Sequence, residues 1–442
     1  MTDGPVERFQ TLLRIPTISH SDESQTDWAA FDLFIAELAR LYPALHNALD
    51  LEIIAGHSLL YRWKGLSDGA PTVLMAHYDV VPADDEGWEH PPFAATIVGE
   101  GDNTLVWGRG TLDDKGALVS VLEAVERHAA AGFVPASDIY LSFGHNEETA
   151  GNGAAAVVAV LAERGIRPAI VIDEGGAIAE GVFPGVSQPV AYVGVSEKGI
   201  TTLLLSVEQV GGHASTPPRL TATARLARAI TRVTAKPFPA RFSPTNIEMI
   251  TRLGAHARGP LGVVFRNLWL TKPLLLRVFT RLGDETNALV RTTQAVTRLS
   301  GSAAANVLAE RATATVNIRV AVGSSVDNAV AHIRRAVRDD AVTIEVLESS
   351  EPSPVSPSTG RAWDLIASQV ELTYPGTLVS PYIQLGASDS RRYTVISDHV
   401  YRFSPFQMSK DERATLHARN ERIHLSTWLR GIEFYAGLIE RV

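Results

Sequence analysis

Along the first half of the chain, short apolar runs alternate with stretches whose apolar positions recur every three to four residues. "TVLMAHYDVV" at 72–81 reads as a buried strand, and "DIYLSFG" at 138–144 and "AIVIDEGG" at 169–176 as two more. Between them, "KGALVSVLEAVERHAAAG" sets Ala117, Leu118, Val121, Leu122 and Val125 on one helical face, and "GAAAVVAVLAERG" closes a second helix on a glycine. Strand–helix–strand alternation predicts a doubly wound, mainly parallel α/β sheet covered by helices. Sheets of this kind bind ligands at the carboxyl ends of their strands, which makes the polar residues there the ones to weigh.

The pattern changes near Gly199. "ITTLLLSVEQ" and "ATATVNIRVAV" read as alternating strands, "TATARLARAITRVTA" and "SVDNAVAHIRRAVRD" as helices, and "VTIEVLE" as a last strand. This predicts a smaller α+β unit inserted at 198–350, with 239–299 elaborating it. The Pro/Ser-rich "SSEPSPVSPSTG" at 349–360 reads as the return linker. The larger domain is then expected at 1–197 and 351–442, where two further helical patterns complete it.

The segment 259–283 is rich in leucine, yet Arg266, Lys272, Pro273, Arg277 and Arg281 break it, so it holds no apolar span of about 18–20 residues. It is expected to be an amphipathic core or lid helix with its cations in water, the alternative being a basic interfacial helix.

Composition narrows the chemistry. The 442 residues are 45% hydrophobic and 20% charged, with a formal net charge of −9. That balance is the one of an ordinary soluble globular protein, and the negative charge speaks against nucleic acid as a partner. There is no cysteine, which removes disulfides, thiolate metal sites and cysteine nucleophiles. The N-terminus has no basic region followed by an apolar one, so a cytoplasmic enzyme is expected.

Three strands end in ligand-type residues: His77 with Asp79, Glu147 with Glu148, and Asp173 with Glu174. Asp113 and Asp114 sit in a turn just before a helix. Residues two apart on a strand share a face, so Asp79 can orient the His77 ring and free its other nitrogen for a metal. Carboxylates with imidazole and no sulfur suit zinc, manganese or cobalt. Two ions about 3.5–4 Å apart, bridged by a carboxylate, are a standard way to hold so much negative charge.

In "MAHYDVVPA", "WEHPPFAA", "WGRGTLDDKGAL", "GHNEETAG", "DEGG", "VSEKG", "GGHASTPP", "VYRFSPF" and "LHARNERI", the chain resembles the dizinc peptidase family of glutamate carboxypeptidase, aminoacylase and succinyl-diaminopimelate desuccinylase. Within it, the chain is most similar to the branch of Gly-X carboxypeptidase and N-fatty-acyl-amino-acid hydrolase. The resemblance implies two Zn²⁺ per subunit, with Co or Mn as substitutes. His77 would bind one metal, Asp113 would bridge both, and Glu148 and His417 would bind the second. The first metal's acidic ligand falls on Asp173 or Glu174. Asp79 would orient His77, and Glu147 would be the general base on a metal-activated water.

The inserted unit resembles the family's lid or dimerisation domain, which implies a possible homodimer. His213 would polarise the scissile carbonyl, sometimes from a neighbouring subunit. Asn306 and Arg319 would bind substrate, with Gly386 and Ser388 lining the same pocket. The expected substrates are peptides cut at a C-terminal residue or, alternatively, N-acyl amino acids cut by an aminoacylase-type reaction. A remoter alternative is an inactive relative that binds a small ligand.

Overall fold

The computed structural model describes residues 4–442. Among them, the larger sheet has ten strands, and the four at its centre run parallel: Ser137–Gly144, Ser67–His77, Ile170–Asp173 and Val400–Arg402. The antiparallel pair Asp50–Ile54 and Ser58–Trp63 extends one side. On the other side, Val190–Glu197 runs against Val400–Arg402 and takes Leu378–Gln384 as a parallel neighbour.

The central strands are apolar on both faces because both faces are covered. Leu74 and Ile172 enter a core with the Lys115–Ala130 and Leu425–Ile439 helices. Val73, Met75 and Val171 point the other way, toward Val157, Val158 and Leu161 of the Gly153–Glu163 helix. Trp428 fastens the first layer: its Nε1 donates to the Gly116 carbonyl at 3.1 Å, and its ring stacks on Phe9 at 4.5 Å.

The smaller sheet is antiparallel, in the order Thr293–Ser300, Arg311–Val320, Gly199–Glu208, Thr343–Ser350. Burial alternates along its central strands, and the Ala222–Thr234 and Val326–Val337 helices close one face over a separate core. Both helices start where a side chain can cap them: Thr221 accepts from the Ala224 N–H and Ser325 from the Asn328 N–H. The return linker lies along the larger sheet, its Ser353 and Ser356 N–H groups donating to the Glu197 and Val195 carbonyls.

One expectation is corrected. The helices Pro244–His256, Gly259–Arg266 and Leu268–Leu282 do not elaborate the smaller sheet. They pack Met249, Leu253, Phe265 and Phe279 against Val190, Tyr192 and Tyr382 of the larger sheet and its flank. Periodicity shows that a helix has a face to bury but not which sheet will cover it. No helix among the described residues is long and apolar enough to cross a membrane.

Candidate active site

The parallel register brings the strand ends together. His77 closes Ser67–His77 beside Gly144, the last residue of its neighbour, so Glu147 and Glu148 follow in the adjacent turn. Asp113 lies in the turn before the Lys115–Ala130 helix. That turn comes so close to the helix that a Cβ on Gly116 would stand 2.1 Å from the Thr111 carbonyl oxygen. His417 sits in the distant loop before Arg422–His424, at φ 56°, the left-handed region that side chains rarely adopt.

Asp113 stands between two imidazoles. Its Oδ1 is 3.0 Å from His77 Nε2 and its Oδ2 is 2.8 Å from His417 Nε2. Glu148 Oε2 is 3.1 Å from the same His417 nitrogen, and Glu174 Oε1 is 3.6 Å from His77 Nε2. His77 Nδ1 lies 2.9 Å from the Asp79 carbonyl oxygen and 3.3 Å from its carboxylate. The Asp79 carboxylate also accepts from Ser19 Oγ at 2.6 Å and from the N–H groups of Glu147 and Glu148, each at 3.1 Å. Asp173, by contrast, turns away and accepts from the Ser390 N–H at 2.9 Å. Of the two residues the sequence leaves open, the cluster contains Glu174.

The electrostatics are those of a crowded acidic centre. Burial raises Glu147 well above the carboxylate range, and the charges of Asp389, Asp113 and Glu148 add to it. Burial also raises Glu148 and Glu174. Hydrogen bonds to Asp113 and Glu148 push His417 up to about 10. Glu148 Oε1 and Asp114 Oδ1 are buried without a hydrogen-bond partner among the described residues. Two sets of donor atoms, from His77, Asp113 and Glu148 and from His77, Asp114 and Glu174, each converge closely enough to hold an ion. Imidazole and carboxylate donors, with orphaned oxygens among them, fit divalent cations.

A cavity of ≈ 270 Å³ opens on this cluster, lined by Asp113, Glu147, Glu174 and His417, with Gly386 on its wall. Gly175, Gly176, Gln384, Gly386, Met408 and Leu416 are shared with a second cavity of ≈ 540 Å³. Phe183, Tyr192, Met249, Phe279, Leu282 and Leu289 make that second space apolar.

The remaining expected residues lie elsewhere. Ser388 is buried and occupied, its N–H and Oγ both donating to Glu197. His213 and Asn306 are exposed on the smaller unit, where His213 Nδ1 accepts from the Ser215 N–H. Arg319 is the cross-strand neighbour of Ile200, which faces Glu147 across a space between the two units. The described linings of the metal-side cavity include none of the three. The competing histidines also fall outside the cluster: His424 lies 3.8 Å from Glu412, and His399 precedes Val400–Arg402 at the opposite end of the sheet.

Sequence reasoning missed Ser19, which holds Asp79, and Glu421, which accepts from the Leu112 and Asp113 N–H groups at 2.8 and 3.3 Å. Glu421 stood in the "NERI" pattern that located His417, so its position carried a signal although its partner did not.

A family model described as peptidase family M20/M25/M40 matches residues 73–441. The chain belongs to that family. Carboxypeptidase S of Saccharomyces cerevisiae is 31% identical to this M20 chain, over 98% of this chain and 83% of its own length. The Xenopus tropicalis protein named N-fatty-acyl-amino acid synthase/hydrolase PM20D1 is 35% identical, over 98% and 85%. Both fall in the branch that the motifs resemble. The crystal structure of an M20 family metallo-carboxypeptidase from Sulfolobus solfataricus superposes with a TM-score of 0.70, over 99% of both chains at 16% identity, which shows the shared fold. The M20 family is metal-dependent with a dinuclear site, and this chain presents candidate ligand groups for metal at the same place.

Proposed function

We propose that this M20 chain is a carboxypeptidase-type hydrolase, cutting the amide bond to a terminal amino acid that bears a free carboxylate. The observation that carries this reading is Glu147. It lines the metal-side cavity beside the Asp113–His417 pair, and its carboxylate belongs to neither set of convergent donors. His77 and Glu174 would hold one cation, Glu148 and His417 the other, with Asp113 between them. When bound, the cations, zinc in the first instance with cobalt or manganese as substitutes, would acidify water and polarise the amide carbonyl. Glu147 takes the proton from the attacking water and returns it to the leaving amine. Asp79 holds both glutamates in place through their N–H groups.

The apolar cavity adjoining the metal side favours a second reading, in which the group removed from the amino acid is a long acyl chain. His213, Asn306 and Arg319 then serve substrate through closure of the smaller unit or from a second copy of the chain. The strands Thr293–Ser300 and Thr343–Ser350 are open edges suited to such pairing. A panel of dipeptides and N-acyl amino acids of increasing chain length, assayed on metal-loaded protein, tests both readings. Turnover of dipeptides supports the first, and kcat/KM rising with acyl length supports the second. Turnover of neither leaves only a ligand-binding relative.

A further inference from the structure

Between Glu248 and Asp284 the chain carries six cations, Arg252, Arg258, Arg266, Lys272, Arg277 and Arg281, and no carboxylate, in a protein of net charge −9. The helices Gly259–Arg266 and Leu268–Leu282 occupy most of this stretch. They bury Phe265, Leu275 and Phe279 against the larger body. Their other side leaves Trp269 82%, Leu270 65%, Leu274 57% and Leu282 61% exposed, with Leu261, Val263 and Val278 beside them. Leu270, Leu274, Val278 and Leu282 recur every fourth residue and so form one stripe on the helix surface. Lys272, Arg277 and Arg281 are exposed on that same helix.

So many large apolar side chains exposed on one short segment mark an interaction site. A helix whose exposed leucines are interleaved with Arg277 and Arg281, with Trp269 exposed at its start and no acid along it, suits an anionic bilayer interface, where the long cationic side chains reach the phosphates. Continuity with the catalytic side adds a second observation. Phe279 and Leu282 of this helix line the ≈ 540 Å³ apolar cavity, which shares six wall residues with the metal-side cavity.

We propose that the two helices dock the enzyme on an anionic lipid surface, with the stripe at the headgroup–acyl boundary and the cations among the phosphates. The apolar cavity then meets the bilayer beside Leu282. Charge complementarity selects lipid over a second copy of the chain, because a twofold contact would set these two basic helices against themselves. The docking is peripheral and does not depend on which amide the enzyme cuts.

The test is sedimentation of the full chain with vesicles of phosphatidylcholine, alone or mixed with phosphatidylglycerol. Binding is expected to the mixed vesicles and to weaken as salt rises. Trp269→Ala with Leu270→Ser, and separately Lys272→Glu with Arg277→Glu and Arg281→Glu, should each lower the partition coefficient at least about tenfold. Both variants should keep turnover of a small water-soluble substrate, which separates this proposal from the hydrolytic one. Wild-type protein that stays in solution with both vesicle types would overturn the docking, as would variants that bind like wild type. Light scattering that shows dimers dissociated by Trp269→Ala would also overturn it and make the stripe a face between copies.

Discussion

Asp79 explains why two glutamates stand side by side at a strand end. Its one carboxylate gathers the N–H groups of Glu147 and Glu148 together with Ser19 Oγ, so the backbone of the pair is pinned from below. The two side chains diverge from there. Glu148 meets His417, while Glu147 faces the cavity. Their substitutions should therefore fail differently. Glu147→Gln is expected to keep both metals, measured by elemental analysis, and to lose about 10²–10⁴-fold in kcat. Glu148→Gln should lose up to one metal per chain, with activity falling in proportion. A Glu147→Gln protein depleted of metal would reverse the assignment. The residue types and their strand-end positions were legible because ligand chemistry restricts them to a few side chains. The choice between Asp173 and Glu174 was not. Neighbours at a strand end point in opposite directions, and only the packed position of Ser390 shows which way each turns. Ser19 was invisible because a serine sixty positions from its partner carries no local pattern.

At the scale of elements, the site depends on two loops that no periodicity links. The loop bearing His417 also bears Glu421, which is fully buried and reaches across to the Asp113 turn. Its other oxygen takes a charge-assisted hydrogen bond from Arg109, itself buried. His417 and Asp113 are thus clamped by one carboxylate although three hundred residues separate them. Glu421→Ala would leave the Arg109 charge and two N–H groups without this acceptor, a loss of about 3–5 kcal/mol. Denaturant unfolding should show it as a lower midpoint, and zinc titration should show weaker binding. The conservative Glu421→Gln keeps an acceptor for the Leu112 N–H and should fall between. An alanine variant as stable as wild type would mean the clamp holds nothing. Beside these loops, the Lys115–Ala130 helix fell within a few residues of its expected bounds, since apolar spacing is a local signal, whereas the short strands Leu105–Trp107 and Arg422–His424 carried none long enough to read.

For the whole molecule, sequence continuity and packing give different partitions. The residues 198–350 read as one insertion, yet the structure divides them between two cores. The smaller sheet closes its own core with the Ala222–Thr234 and Val326–Val337 helices. The helices from Pro244 to Leu282 instead complete the flank of the larger body. The chain leaves and rejoins the smaller unit at one point, where the Arg241 N–H donates to the Val290 carbonyl at 2.7 Å. Residues 242–289 therefore form a loop-out that can be removed without opening the small core. Two fragments follow from this geometry. A 199–350 fragment with 242–289 replaced by a short Gly/Ser linker should fold cooperatively and bind no hydrophobic dye. The uncut 199–350 fragment keeps Met249, Leu253, Phe265 and Phe279 without the surface that covers them. At about 1.5–3 kcal/mol for each buried side chain of this size, the lost burial rivals the entire stability of a small domain. That fragment should bind a hydrophobic dye and self-associate, as read by dye fluorescence and sedimentation. If both fragments behave alike, the helices do not depend on the larger body, and the insertion is one unit after all.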